Sequence, residues 1–107
     1  MSYRYMRLMI FYDLPFDSKE NVRHYNKFRN NLFKEGFHMI QYSIYCKLCY
    51  NKESVDFVIK RINKFLPKMG NVRFLTVTEK QYQNIQIVVG KKSDKELLIN
   101  DRRLIEL

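Results

Sequence analysis

Asp13 sits where a carboxylate can meet a ligand. It closes the run Met6-Arg7-Leu8-Met9-Ile10-Phe11-Tyr12 and stands two residues before Pro15. Six of the seven residues in that run are apolar or aromatic, which reads as a buried strand. Pro15 forbids a simple continuation of its ladder. An acid at the C-terminal end of a first strand can face a ligand; the competing reading is a helix-start signal without chemistry. Cys46 and Cys49 have the spacing of half a zinc site or of a redox pair. No second cysteine pair and no suitable histidine pair completes four ligands. On one strand a separation of three puts the two thiols on opposite faces, so both read as small, buried, reduced residues. His24 falls in a helical pattern and His38 at a strand start, and each reads as a surface or packed residue rather than a general base.

The elements that must position Asp13 follow from periodicity. Residues 18–35 read as a helix with the apolar stripe Val22, Tyr25, Phe28, Leu32 and Phe33, and Asp17 with Glu20 resembles a capping box. Arg23, Lys27, Asn30 and Lys34 form a separate polar stripe on it. A second helix is expected over 52–66, capped by Asn51, with Val55, Val58, Ile59, Ile62, Phe65 and Leu66 inward and Lys60, Arg61 and Lys64 on or beside its exposed face. Residues 37–50 are too long for one flat strand, so a reversal near Tyr42-Ser43 is expected to split them, although that turn lacks the usual Gly or Asn. Further strands are expected over 71–78 and 85–89, with a turn through 79–84 between them. Gly36, Gly70 and Gly90 read as end punctuation, the first two after helices and the third after the last strand.

This order predicts an α+β, ferredoxin-like βαββαβ domain with an extra C-terminal strand. The expected domain covers 1–90. The tail, 91–107, carries the short apolar patches Leu97-Leu98-Ile99 and Leu104-Ile105, which read either as edge strands for a partner or as a frayed end. Two helices cover one face of such a sheet, yet the first strand is apolar on both. The expected cover for the second face is another copy of the chain, in a two-fold homodimer with sheets packed face to face.

Twenty Lys and Arg against eleven Asp and Glu give a net charge of +9 over 107 residues, which favours a polyanionic partner. Arg23, Lys27 and Lys34 on one helix, with Lys60 and Lys64 on the other, are the candidate phosphate contacts. No apolar run approaches the roughly 20 residues of a membrane span, and no leader pattern stands at the N-terminus, so no membrane association and a cytoplasmic location are expected. A sequence-reading RNA module is disfavoured, because the three glycines lie at element ends rather than in an aromatic-glycine strand.

Three stretches carry a resemblance to a known family: Arg7-Leu8-Met9-Ile10-Phe11-Tyr12-Asp13-Leu14-Pro15, Glu35-Gly36-Phe37-His38-Met39-Ile40-Gln41-Tyr42-Ser43-Ile44-Tyr45, and Gly70-Asn71-Val72-Arg73-Phe74-Leu75-Thr76-Val77-Thr78-Glu79-Lys80-Gln81-Tyr82. Together they resemble the second CRISPR-associated protein of the adaptation machinery, the Cas-two family, in its type II variety. The resemblance spans roughly residues 5 to 90. It implies a homodimer that bridges dimers of the CRISPR integrase and holds duplex DNA for spacer acquisition. It also implies a metal-dependent endonuclease activity on RNA or DNA. Asp13 matches the family's magnesium-binding position, and Gln41 and Ser43 match its Gln-x-Ser pair. Asp13 and Ser43 are thus the candidate catalytic residues, with Ser43 offering a hydrogen bond to a phosphate oxygen, and Mg2+ is the expected cofactor. Where many members carry an acid after the Ser-hydrophobic-aromatic run, this chain has Cys46, so a second acid is missing. A two-fold axis near Asp13 would supply another carboxylate. Two such groups about 6 Å apart at an effective dielectric near 20 repel by about 3 kcal/mol, which favours a bound divalent ion.

Overall fold

The computed structural model describes residues 5–91. Its elements are β1 (Met6–Asp13), α1 (Lys19–Lys34), β2 (His38–Gln41), β3 (Ile44–Cys49), α2 (Lys52–Ile62), β4 (Asn71–Thr78) and α3 (Glu79–Gln83). The four strands form one antiparallel sheet in the order β2-β3-β1-β4. β1 and β2 flank β3, and β3 and β4 flank β1, which is the split βαβ pairing of a ferredoxin-like domain. α1 and α2 pack on one face. Their buried residues Tyr25, Phe28, Leu32, Val55, Val58 and Ile62 meet Leu8, Ile10 and Tyr12 of β1.

Local chemistry explains most boundaries. Ser18, not an Asp17–Glu20 box, caps α1: its hydroxyl accepts from the Asn21 N–H at 3.1 Å, and Asp17 instead accepts from the Asn21 side chain. Asn51 caps α2 as expected. α2 ends at Ile62, short of Leu66, with Asn63 as its C-cap. Phe33 and Leu66, expected inward, are exposed. The reversal at Tyr42-Ser43 is present, and without a glycine it is made by Ser43 itself, at φ 65. An extra residue, Ile40, interrupts the β2–β3 register between the pairs Met39–Tyr45 and Gln41–Ile44.

The second sheet face departs furthest from expectation. Residues 79–83, expected to be a turn, form α3, because Thr78 and Gln81 make a reciprocal capping box. α3 folds back over the sheet. Its Tyr82 packs with Met9 and Cys46, and Glu79 pairs with Arg7. The chain therefore covers part of this face itself. Residues 85–89 form no strand: they follow α3 with exposed side chains, and among the described residues β4 pairs only with β1. Cys46 and Cys49 form no disulfide and are buried on opposite faces, as a spacing of three requires. The apolar patches of the tail lie outside the described residues.

Candidate functional site

β1 delivers Asp13 to the end of the sheet, where it pairs with Asn71, the first residue of β4. The loop between α2 and β4 secures this end. Gly70, at φ +88, lies so close that a Cβ there would stand 2.3 Å from the Asp13 carbonyl oxygen. Gly70 is thus no helix punctuation. It is the close-approach residue that lets the loop seat the strand end.

Asp13 and Ser43 line one cleft of about 530 Å3 with Phe11, Ile44, Asn71, Arg73 and Leu75. The structure thus brings together the two residues singled out for catalysis. Asp13 is exposed, and Ser43 is half-buried. The Tyr12 N–H donates to the Ser43 carbonyl at 3.0 Å, which ties the turn to β1. The Ser43 hydroxyl shares a 3.2 Å hydrogen bond with the Tyr25 hydroxyl, and Tyr25 shares one of 2.9 Å with Tyr45. Burial raises the Tyr45 pKa, and its bond to Tyr25 raises it further. Burial pushes the Tyr12 pKa from 10.0 up to about 12, with the neighbouring Tyr25 adding to the shift. Tyr25 orients the Ser43 hydroxyl, and Tyr45 holds Tyr25 in place from behind. No histidine lines the cleft. Arg73 was not singled out in the sequence. Its signal was there: Arg73 and Asn71 alternate along β4, opposite Phe11 and Asp13 of β1.

The basic candidates are all exposed but do not form one patch. Lys27 and Lys64 line a groove of about 540 Å3 with His24, Asn31, Phe65 and Lys68. Arg23 lies beside Phe16, Asp17 and Lys19 at the start of α1. Lys34 stands in the last turn of α1, and Lys60 sits 5.9 Å above the Phe57 ring. Neither Lys34 nor Lys60 reaches the Lys27–Lys64 groove.

A second polar cluster lies under α3. Arg7 is fully buried and donates to both carboxylate oxygens of Glu79, at 2.7 and 3.0 Å, while Tyr82 covers its guanidinium at 4.1 Å. Burial works against the Arg7 charge, but the bond to Glu79 and the surrounding charges outweigh it and hold its pKa above the ordinary value. The Arg7–Glu79 pair fastens α3 to the sheet.

Among the described residues no three His, Cys, Asp or Glu side chains group to hold a metal. The cleft offers oxygen donors from Asp13, Ser43 and Asn71, the hard-ligand chemistry that suits Mg2+ when phosphates and water complete its shell.

Fold and site together define a small α+β, ferredoxin-like protein with a carboxylate cleft at one end of its sheet and a cationic helical surface. Residues 6–85 match the family model for CRISPR associated protein Cas2, and the chain belongs to that family. It is 53% identical over 87 residues to a CRISPR-associated endoribonuclease Cas2 of Ligilactobacillus salivarius, covering 81% of this chain and 86% of the relative. It is 45% identical over 102 residues to the protein of the same name from Treponema denticola, covering 95% of this chain and all of the relative. A solved structure described as a crystal structure of cas2 superposes with a TM-score of 0.56 at 20% identity, over 84% of this chain and 92% of the other, which shows the shared fold.

Proposed function

We propose that this Cas2 chain is a nucleic-acid-binding subunit of CRISPR adaptation, holding duplex DNA through its phosphates as a homodimer between integrase dimers. The observation that carries the binding reading is the convergence of Lys27 on α1 with Lys64 and Lys68 after α2 on one groove. Such ammonium groups meet phosphates without reading bases. The homodimer is supported by apolar side chains that α3 leaves uncovered, among them Leu75, Ile85, Ile87, Val88 and Val89.

The Asp13–Ser43 cleft favours a second reading, phosphodiester hydrolysis, in line with the endoribonuclease name of the relatives. Asp13 would hold Mg2+, which when bound supplies Lewis-acid polarisation of a phosphate oxygen. The remaining work falls to the chain's own groups. When Tyr25 donates to Ser43, the Ser43 proton is left to donate to a phosphate oxygen. Arg73 adds positive charge to the cleft that receives that phosphate.

Two variants separate the readings. Lys27→Glu with Lys64→Glu should weaken binding to every duplex alike, lower the slope of log affinity against log salt by about 2, and reduce spacer acquisition in cells. Asp13→Ala should abolish hydrolysis of RNA or DNA, as chelation does, while leaving duplex binding and acquisition in place. Loss of acquisition in Asp13→Ala with assembly intact would overturn the scaffold reading.

A further inference from the structure

An ordered column of aromatic rings runs out of the core beside the Asp13 cleft. Tyr12 stacks on Tyr25 at 4.9 Å and 12°, and Tyr25 stacks, offset, on Tyr42 at 6.2 Å and 17°. Phe16 packs against Tyr25 at 5.1 Å and against Tyr42 at 6.4 Å. The inner members, Tyr12 and Tyr25, are buried, whereas Tyr42 is 63% exposed and Phe16 51%. Isolated exposed aromatics are unremarkable on any protein surface. These two are held by a buried stack, and the left-handed Ser43 that follows Tyr42 fixes the turn that presents it. Fixed rings lose little freedom when another flat ring lands on them.

We propose that Tyr42 and Phe16 form a stacking platform for an unpaired nucleobase, next to the Asp13 cleft. This rests on the nucleic-acid reading above and adds to it a preference for single strands. Two features select a nucleotide over an apolar peptide. Lys19 and Arg23 line the depression beside Phe16, where they can meet the phosphates of a stacked nucleotide. Ser43 is the next residue after Tyr42 and lines the cleft with Asp13 and Arg73. A strand whose base lies on Tyr42 therefore carries its backbone toward Asp13. A base inside a duplex has both faces covered by its stacked neighbours and cannot use the platform.

The test places 2-aminopurine in a single-stranded RNA, a single-stranded DNA and a blunt DNA duplex, and reads fluorescence quenching and affinity with the full chain. The wild-type protein should quench the probe in single strands. Quenching in both sugars assigns the contact to the base, and quenching in one names the strand that the platform selects. Tyr42→Leu with Phe16→Leu keeps apolar bulk but removes the π faces. It should lose the quenching and about ten- to a hundredfold of single-strand affinity, with blunt-duplex affinity held within about twofold. Tyr42→Phe should behave as the wild type. If the leucine variant binds single strands as tightly as the wild type, or loses duplex and single strand alike, the platform is refuted. If the wild type binds duplex but quenches no single strand, the platform falls and the duplex reading stands. If it binds neither form, both fall.

Discussion

At the scale of single residues, the cleft depends on small features that are easily broken. Gly70→Ala puts a Cβ against the Asp13 carbonyl and forces an alanine to a positive φ. It should destabilise the fold by about 2 kcal/mol or more and lower any Asp13-dependent hydrolysis, as read by urea titration and a cleavage assay. Tyr12 carries the opposite kind of feature. Its hydroxyl is buried with no hydrogen-bond partner among the described residues. Tyr12→Phe should therefore stabilise the fold by about 1 kcal/mol. Tyr12 also sets an alkaline limit. Its folded pKa is raised from 10.0 to about 12, so the folded state holds the proton after the unfolded chain has released it. Its contribution is complete below about pH 10 and is lost as pH rises from 10 to 12. Urea midpoints measured across that range should fall steeply in the wild type and less steeply in Tyr12→Phe.

At the scale of elements, α3 is five residues long, too short to hold itself together in water. It persists through its capping box and through the Arg7–Glu79 pair beneath it. Arg7→Ala takes the guanidinium away from the buried Glu79 carboxylate and should destabilise the protein by about 3–5 kcal/mol. Arg7→Met combined with Glu79→Leu removes both charges and should recover most of that loss, since the desolvation penalty disappears with them. Urea unfolding of the two variants, with hydrogen exchange across 79–83, gives the comparison. A double variant as unstable as Arg7→Ala would mean that the pair does more than balance charge.

At the scale of the whole molecule, charge and uncovered apolar surface govern association. Sedimentation at micromolar concentration is expected to give about twice the 13.2 kDa chain mass. Duplex binding should be insensitive to sequence and fall about a thousandfold or more between about 50 and 200 mM salt if six or more phosphates are contacted. The exposed residues 85–89 belong to the same balance: among the described residues they join no ladder, and their apolar side chains add to the surface open to association. No helix among the described residues is long and apolar enough to cross a membrane.

The order of the elements through 78, the fold class, the opposed cysteines and the placing of Asp13 at a strand end were legible from local patterns, and the family from the resemblance of three stretches. Periods of 2 and 3.6, a proline and a few caps depend on neighbours close in sequence. The misreadings share a cause. Residues 79–84 lack a long apolar stripe and look like a turn. The Thr78–Gln81 capping box that starts α3 is a local signal, but so short a helix is also held by Arg7, 72 positions earlier, which reaches Glu79. Residues 85–89 have strand composition, but strand pairing is decided by which edge is free, and a single sequence does not display that. Arg73 and Gly70 gained meaning only when the β1–β4 register set them beside Asp13. Ser43 came from the family pattern, and the hydroxyl chain behind it joins α1 to β3. Through residue 78 the sequence by itself determined which segments coil, which extend and where the strand-end acid falls, because those depend on side chains a few positions apart. Tertiary structure alone decided what surrounds the acid and what covers the second sheet face, because those contacts join residues distant in the chain through packing, register and burial.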